Sequence, residues 1–178
     1  MSELVDEMDV QAAMKGDRRA LESLLKAQYQ QLYKTAFLYV KNEADALDVV
    51  QDSVIKIMTK IGSLTQPTYF TTWAVRIVIH TSLDLLRRPS LQVSNEPLGD
   101  LEAKKELSDD NRLDIHAGIA SLPEDLQEVT ILHYFHGRKI REISLITEEP
   151  VGTTKYKLHQ ARGLLRDYLE GGDCDEAD

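Results

Sequence analysis

Residues Ile140 to Leu169 run IREISLITEEPVGTTKYKLHQARGLLRDYL. Ile140, Ile143 and Ile146 recur at helical spacing and give a short first helix one apolar stripe. Val151, Thr154, Leu158, Ala161, Leu165 and Leu169 do the same for a second, longer helix. Pro150 and Gly152 mark the join, and the proline biases Glu149 away from helical geometry. From Gly152 to Arg166 the charged residues are Lys155, Lys157, Arg162 and Arg166, with no acid among them. A short helix, a turn and a longer basic helix that starts with polar residues meet the needs of a helix-turn-helix. There the second helix enters the major groove N-terminus first, and cations and hydroxyls reach phosphates and base edges. The same pattern is open to a plainer reading, a helical hairpin with a solvated basic face.

Upstream, Leu122-Pro123 opens a helix with proline in its first turn; Leu126, Val129, Leu132 and Phe135 point inward, and Gly137 ends it. A helical segment over residues 112–120 precedes it. Residues 89–111, PSLQVSNEPLGDLEAKKELSDDN, hold two prolines, a glycine and a surplus of acids without sustained periodicity, and so predict a flexible linker. Before that boundary the pattern predicts a short helix over 8–15 and a long one from Arg18 with Leu21, Leu24, Leu25, Tyr29, Leu32, Ala36 and Val40 inward. A third helix, capped by Asn42 and ended at Gly62, carries Leu47, Val50, Val54, Ile57, Met58 and Ile61 as its core stripe. Asp45, Asp48 and Asp52 share another of its faces. A fourth, YFTTWAVRIVIHTSLDLLRR, is stopped by Pro89; Phe70, Trp73, Ile77 and Leu85 are its core candidates. Its β-branched residues make a strand the competing reading, but it is long and lacks period-two alternation.

With 178 residues, 42% apolar, 29% charged and only nine glycines and five prolines, the chain favours an all-helical fold of two small domains, 8–88 and 112–170. The net charge of −9 is unfavourable for a protein that holds free DNA alone, but much of the excess sits in the linker and in an acidic, disordered tail over 171–178. That distribution points to a DNA reader working inside a larger assembly. No apolar run approaches a membrane span, the acidic N-terminus is unlike a signal peptide, and a lone cysteine, Cys174, forbids intrachain disulfides. The cytoplasm is the expected compartment. His133 and His136 lie three apart without a carboxylate or cysteine to complete a metal site, and neither a nucleophile elbow nor a glycine-rich phosphate loop is present. Neither catalysis nor a cofactor or metal is expected.

Four segments, in order, resemble the extracytoplasmic-function sigma factors of the sigma-70 family. ADALDVVQDSVIKIM is similar to region 2.2, and YFTTWAVRIVIHTSLDLLRR to regions 2.3 and 2.4. LPEDLQEVTILHYFHGRKIREIS is similar to region 4.1, and PVGTTKYKLHQAR to the core of region 4.2. The resemblance implies a promoter-specificity subunit of RNA polymerase that promotes strand opening for a stress regulon. Asp45, Asp48, Gln51 and Asp52 would dock on the β′ coiled coil of core polymerase. Tyr69, Thr72, Arg76, His80, Arg87 and Arg88 would meet the −10 element. Thr153, Thr154, Lys155, Tyr156, Lys157, His159, Gln160 and Arg162 would read the −35 element. The β flap and an anti-sigma factor, often membrane-anchored, are the other implied partners; membrane insertion of the chain itself is not. The sequence departs from the pattern at His80, usually Asn, and at Tyr156 and Gln160, usually Ser and Arg. Gly163 stands inside a helix, and Glu148 and Glu149 occupy turn positions where glycine and an apolar residue are usual.

Two other functions fit parts of the chain: a stand-alone dimeric helix-turn-helix regulator, and a sigma mimic that sequesters partners. The acidic helix beside a tryptophan-bearing helix argues against the first, since a repressor has no use for a polymerase-docking face. On the sigma-factor reading the polymerase- and DNA-binding domains are expected to share little contact, with a separate inhibitor rather than the tail providing control.

Overall fold

The computed structural model describes residues 6–88, 115 and 117–171, and the regular structure among them is helical throughout. The first unit contains α1 (Glu7–Met14), α2 (Arg18–Val40), α3 (Glu43–Lys60) and α4 (Phe70–Arg87). Short polar side chains start three of them. Asp6 accepts from the Met8 amide (2.9 Å), Asp17 from those of Arg19 and Ala20 (2.9 and 3.2 Å), and Asn42 from those of Ala44 and Asp45 (2.8 and 3.3 Å). Each satisfies amide donors that the first helical turn leaves without partners. The α1–α2 corner needs Gly16, whose φ of 99° suits a residue without Cβ. Lys41 closes α2 in the left-handed region at φ 52°.

The β-branched run of α4 is helical because of what it buries. Ala74, Val75, Val78 and Ile79 are wholly buried in a core shared with Leu32 of α2 and Ile57 of α3. Burying one such side chain contributes about 1.5–3 kcal/mol, several times the helix-propensity cost of about 0.5 kcal/mol for β-branching. Thr81 and Ser82 return their hydroxyls to the carbonyls of Ile77 and Val78 (2.8 and 2.9 Å), so their burial leaves no orphaned donor.

The second unit has a helical turn at 117–121, then α5 (Glu124–Thr130) capped by Pro123, which widens into a π turn over Ile131–Phe135. Gly137 follows at φ 62°. The helix-turn-helix is present as α6 (Ile140–Thr147) and α7 (Val151–Gly171). Ile143, Ile146, Leu158 and Ala161 face inward. Glu148 caps α6 at φ 57° and ψ 33°, so the position where glycine was expected does take the left-handed conformation.

Several apolar side chains read as core are exposed instead: Tyr29, Leu47, Met58, Phe135 and Leu169. Their spacing is helical, but which side of a helix is covered is decided by its neighbours and not by its period. Trp73 is half-buried, its ring centroid 6.3 Å from that of Phe70. The two units also do not stand apart as expected. Ile119, Val129, Ile131, Leu132, Ile143 and Leu158 belong to the same apolar cluster as the core of α1–α4. The linker 89–111, the start of the 112–120 segment and the tail beyond Gly171 lie outside the described residues.

Candidate nucleic-acid and polymerase interfaces

The residues expected at the −10 element stand on or beside α4, and four of the six are engaged by the second unit. Arg76 donates from Nε to Glu128 (2.8 Å) and from Nη1 to the Ile146 carbonyl (2.6 Å). His80 Nε2 donates to the same Glu128 oxygen at 3.2 Å. Arg87 forms a two-pronged pair with Glu124, one nitrogen at 2.9 Å, and Thr72 donates its hydroxyl to Glu142. Burial disfavours the charge of Glu128, but the hydrogen bond and charge of His80, together with Arg76, outweigh it and hold the carboxyl below its usual range. Tyr69 is half-buried at the head of α4, and Arg88 is exposed at its end. Thr72 is 1% exposed, so in this arrangement it faces the second unit and not nucleic acid.

A second polar contact fixes the same seam. Gln31 Nε2 donates to His136 Nδ1 (2.8 Å). Thr35 spends its hydroxyl hydrogen on the Gln31 carbonyl (2.7 Å), so its oxygen accepts from His136 Nε2 at 3.1 Å. That pattern requires a neutral imidazole. Burial first, then the Arg138 guanidinium, push His136 down to about 4. His133 does not converge with it: its Nδ1 lies 2.8 Å from the Arg138 carbonyl.

The expected −35 face on α7 divides by helical position. Lys155, Tyr156, His159 and Gln160 are exposed along one side, and Thr153 is half-buried. Thr154 does not share that exposed side. It is 0% exposed because it shares the inward stripe with Leu158 and Ala161, and its hydroxyl lies 3.5 Å from the Pro150 carbonyl. Arg162 is exposed but hydrogen-bonded to the Tyr134 hydroxyl, its guanidinium carbon 5.8 Å from that ring's centre. Lys157 is turned sideways, paired with Glu149 (2.5 Å) and Asp125 (3.4 Å). Burial opposes its charge, and the two carboxylates more than offset this, holding the ammonium above its usual range. The remaining α7 face makes no such contact, whereas Thr72, Arg76, His80 and Arg87 of the −10 set are each bonded to the second unit.

On α3, Asp48, Gln51 and Asp52 are exposed together and Asp45 is half-buried beside them. The three exposed residues line a cleft of about 170 Å³ with Lys56, Asp84 and Arg88. A larger, mostly apolar groove of about 650 Å³ lies where α2 meets α3, lined by Leu21, Leu25, Tyr29, Leu32, Val54 and Met58 with Arg18, Glu22 and Lys26 at its rim. Sequence reasoning missed this groove by placing Tyr29 and Met58 in the core. Ile55, which falls on the aspartate side of α3 and is exposed, was the available signal that this surface is not purely acidic.

Comparison with known proteins agrees with the geometry. Residues 24–91 match the family described as sigma-70 region 2, and residues 112–165 that described as sigma-70, region 4. The chain is 32% identical over 138 residues to the RNA polymerase sigma factor SigV of Bacillus subtilis, covering 77% of this chain and 83% of that protein. It is 35% identical over 185 residues to the ECF RNA polymerase sigma-E factor of Salmonella typhimurium, covering 93% and 95%. Its fold is similar to that of the sigma factor RpoE from Bartonella quintana, solved in complex with the anti-sigma factor NepR. The TM-score is 0.64 at 22% identity, over 84% of this chain and 96% of that one.

Proposed function

Because the chain belongs to the extracytoplasmic-function sigma factors of the sigma-70 family, we propose that it divides promoter recognition between its two units, with the second covering the first until polymerase is bound. The protein directs RNA polymerase to promoters at transcription initiation. In the finer reading, α7 lays Lys155, Tyr156, His159 and Gln160 into the major groove of the −35 element. Asp48, Gln51 and Asp52 attract basic side chains of the β′ coiled coil, and the groove where α2 meets α3 buries its apolar ones. Tyr69 and the α4 cations receive the −10 element and bases turned out of the melting duplex. The chain makes and breaks no covalent bond; it lowers the cost of strand opening by binding the opened form.

One observation carries this reading: a helix-turn-helix with an open polar face and, on α3, an exposed acidic face stand on one chain. A stand-alone repressor accounts for the first surface only. The bonds that Thr72, Arg76, His80 and Arg87 make to the second unit support an order of events in which core docking parts the units and frees α4. A separate anti-sigma factor that favours the closed arrangement is the natural partner in control. The cytoplasm, where polymerase resides, is the proposed site of action, and a stress regulon the proposed target.

The test is run-off transcription with core polymerase on a promoter library. Transcripts from promoters sharing −35 and −10 sequences, made only when the chain is added, are expected. Core binding without transcripts would make the chain a sequestering mimic. Dimeric binding to duplex DNA that excludes polymerase would make it a stand-alone regulator.

A further inference from the structure

Glu149 bears on how strongly α7 holds DNA, an inference that rests on the −35 reading above. Lys155 projects from α7 into solvent, whereas Lys157, two residues on, is only 15% exposed along its side chain. The Lys157 ammonium lies 2.5 Å from Glu149 Oε1 and 3.4 Å from Asp125 Oδ2. Glu149 is itself fixed: its amide donates to the Ser144 carbonyl (3.0 Å), and its own carbonyl accepts from the Ser144 hydroxyl. Its second carboxylate oxygen is buried without a hydrogen-bond partner among the described residues. The turn therefore fixes the backbone that carries this carboxylate, and the lysine bends to it.

For Lys157 to reach a phosphate it must leave both carboxylates, and Glu149 is then left half-buried and unpaired beside an incoming anion. Surface pairs are easily outbid by phosphate because water and salt screen them, but the Lys157 and Glu149 side chains are only 15% and 29% exposed, so this pair is screened less. We propose that Glu149 is a positioning residue that withholds Lys157 from the DNA backbone, so that −35 binding runs one phosphate contact below what the cations of α7 would supply. The turn acid thereby sets the affinity of the reader without touching DNA, and Lys155 acts as the cation of the helix start.

The test uses the full chain and a short fluorescein-labelled duplex carrying the −35 sequence selected by the reconstituted holoenzyme. Anisotropy titrations over a series of KCl concentrations give the affinity and its salt slope. Glu149→Gln keeps the shape and removes the charge; it is expected to bind about five- to tenfold tighter at 0.1 M salt and to steepen the slope by about 0.9, as one added phosphate contact requires. Asp125→Asn loosens Lys157 from its other side and should give a smaller gain of the same sign. Glu148→Gln removes an equal charge one residue away, where no contact with Lys157 exists, and should leave the slope unchanged. Adding Lys157→Ala to Glu149→Gln should abolish the gain. A slope that Glu149→Gln leaves unaltered, or a gain that survives Lys157→Ala, overturns the proposal. Lys155→Ala reports on the underlying reading: if it costs no affinity, α7 is not the −35 reader. If it does weaken binding while the Glu149 variants match the parent, the inference about Glu149 alone is wrong.

Discussion

Two residues hold conformations or charge states that the rest of the molecule imposes on them. Glu148 caps α6 with left-handed backbone, where a Cβ costs about 1 kcal/mol that glycine does not incur. Glu148→Gly is expected to raise the melting temperature by about 4–8 °C, as a gain of about 1 kcal/mol does in a small domain; Glu148→Ala should give no such gain. A scanning calorimeter that finds the two variants alike would show that the turn stores no strain. His136 is the second case. Its imidazole is neutral between Gln31 and Thr35, with Arg138 the charged group facing it, and it titrates near 4 when the units are closed. Parting the units returns it toward its ordinary value of about 6.5. The closed form therefore binds fewer protons than the open form, and its advantage is full above about pH 6.5 and lost as pH falls toward 4. Fluorescence transfer between dyes on the two units should decline over that window, and His136→Gln should flatten the decline.

At the scale of the helix, what was legible depended on whether one element's own residues decide the matter. Asp6, Asp17 and Asn42 start helices by local hydrogen bonds, and the α6–turn–α7 pattern follows from spacing, proline and glycine within thirty residues. Which apolar residues of a helix are covered is a question about its neighbours, and period alone cannot answer it. Hence the period places Met58 and Tyr29 in the core, whereas both line an open groove. Thr154 was read both as inward and as a DNA contact, and its helical phase allows only the first. The widening of α5 into a π turn has no sequence signature that we can name. The α3 ridge gives the prediction at this scale. Asp48→Arg combined with Asp52→Arg reverses two exposed charges and touches no core residue, so helicity by circular dichroism should be unchanged while affinity for core polymerase falls at least tenfold. Undiminished capture of core by the double variant would remove the ridge from the docking surface.

Across the whole molecule the controlling contacts join residues far apart in the chain. Arg76 and Glu128 are separated by 52 positions, Arg87 and Glu124 by 37, and no periodic pattern announces such pairs. Composition showed two units and a boundary; only the structure shows that acids of the second cover cations of the first. Glu128→Lys with Glu124→Lys should drive the units apart, raising the radius of gyration in solution scattering. It should also strengthen binding to single-stranded −10 DNA, because Arg76, His80 and Arg87 are released. A parent-like scattering curve would mean that the apolar contacts of Ile131, Leu132 and Ile143 close the seam by themselves. The contact is lopsided, since Lys155, Tyr156, His159 and Gln160, the proposed −35 face of α7, stay exposed while four residues of α4 are bonded to the second unit. Copies without polymerase can thus squat on −35 sites they are unable to fire, and promoter output should rise with dosage, peak and then fall. The surplus negative charge of the chain, −9 overall, weakens such idle binding and moves the peak to higher copy number.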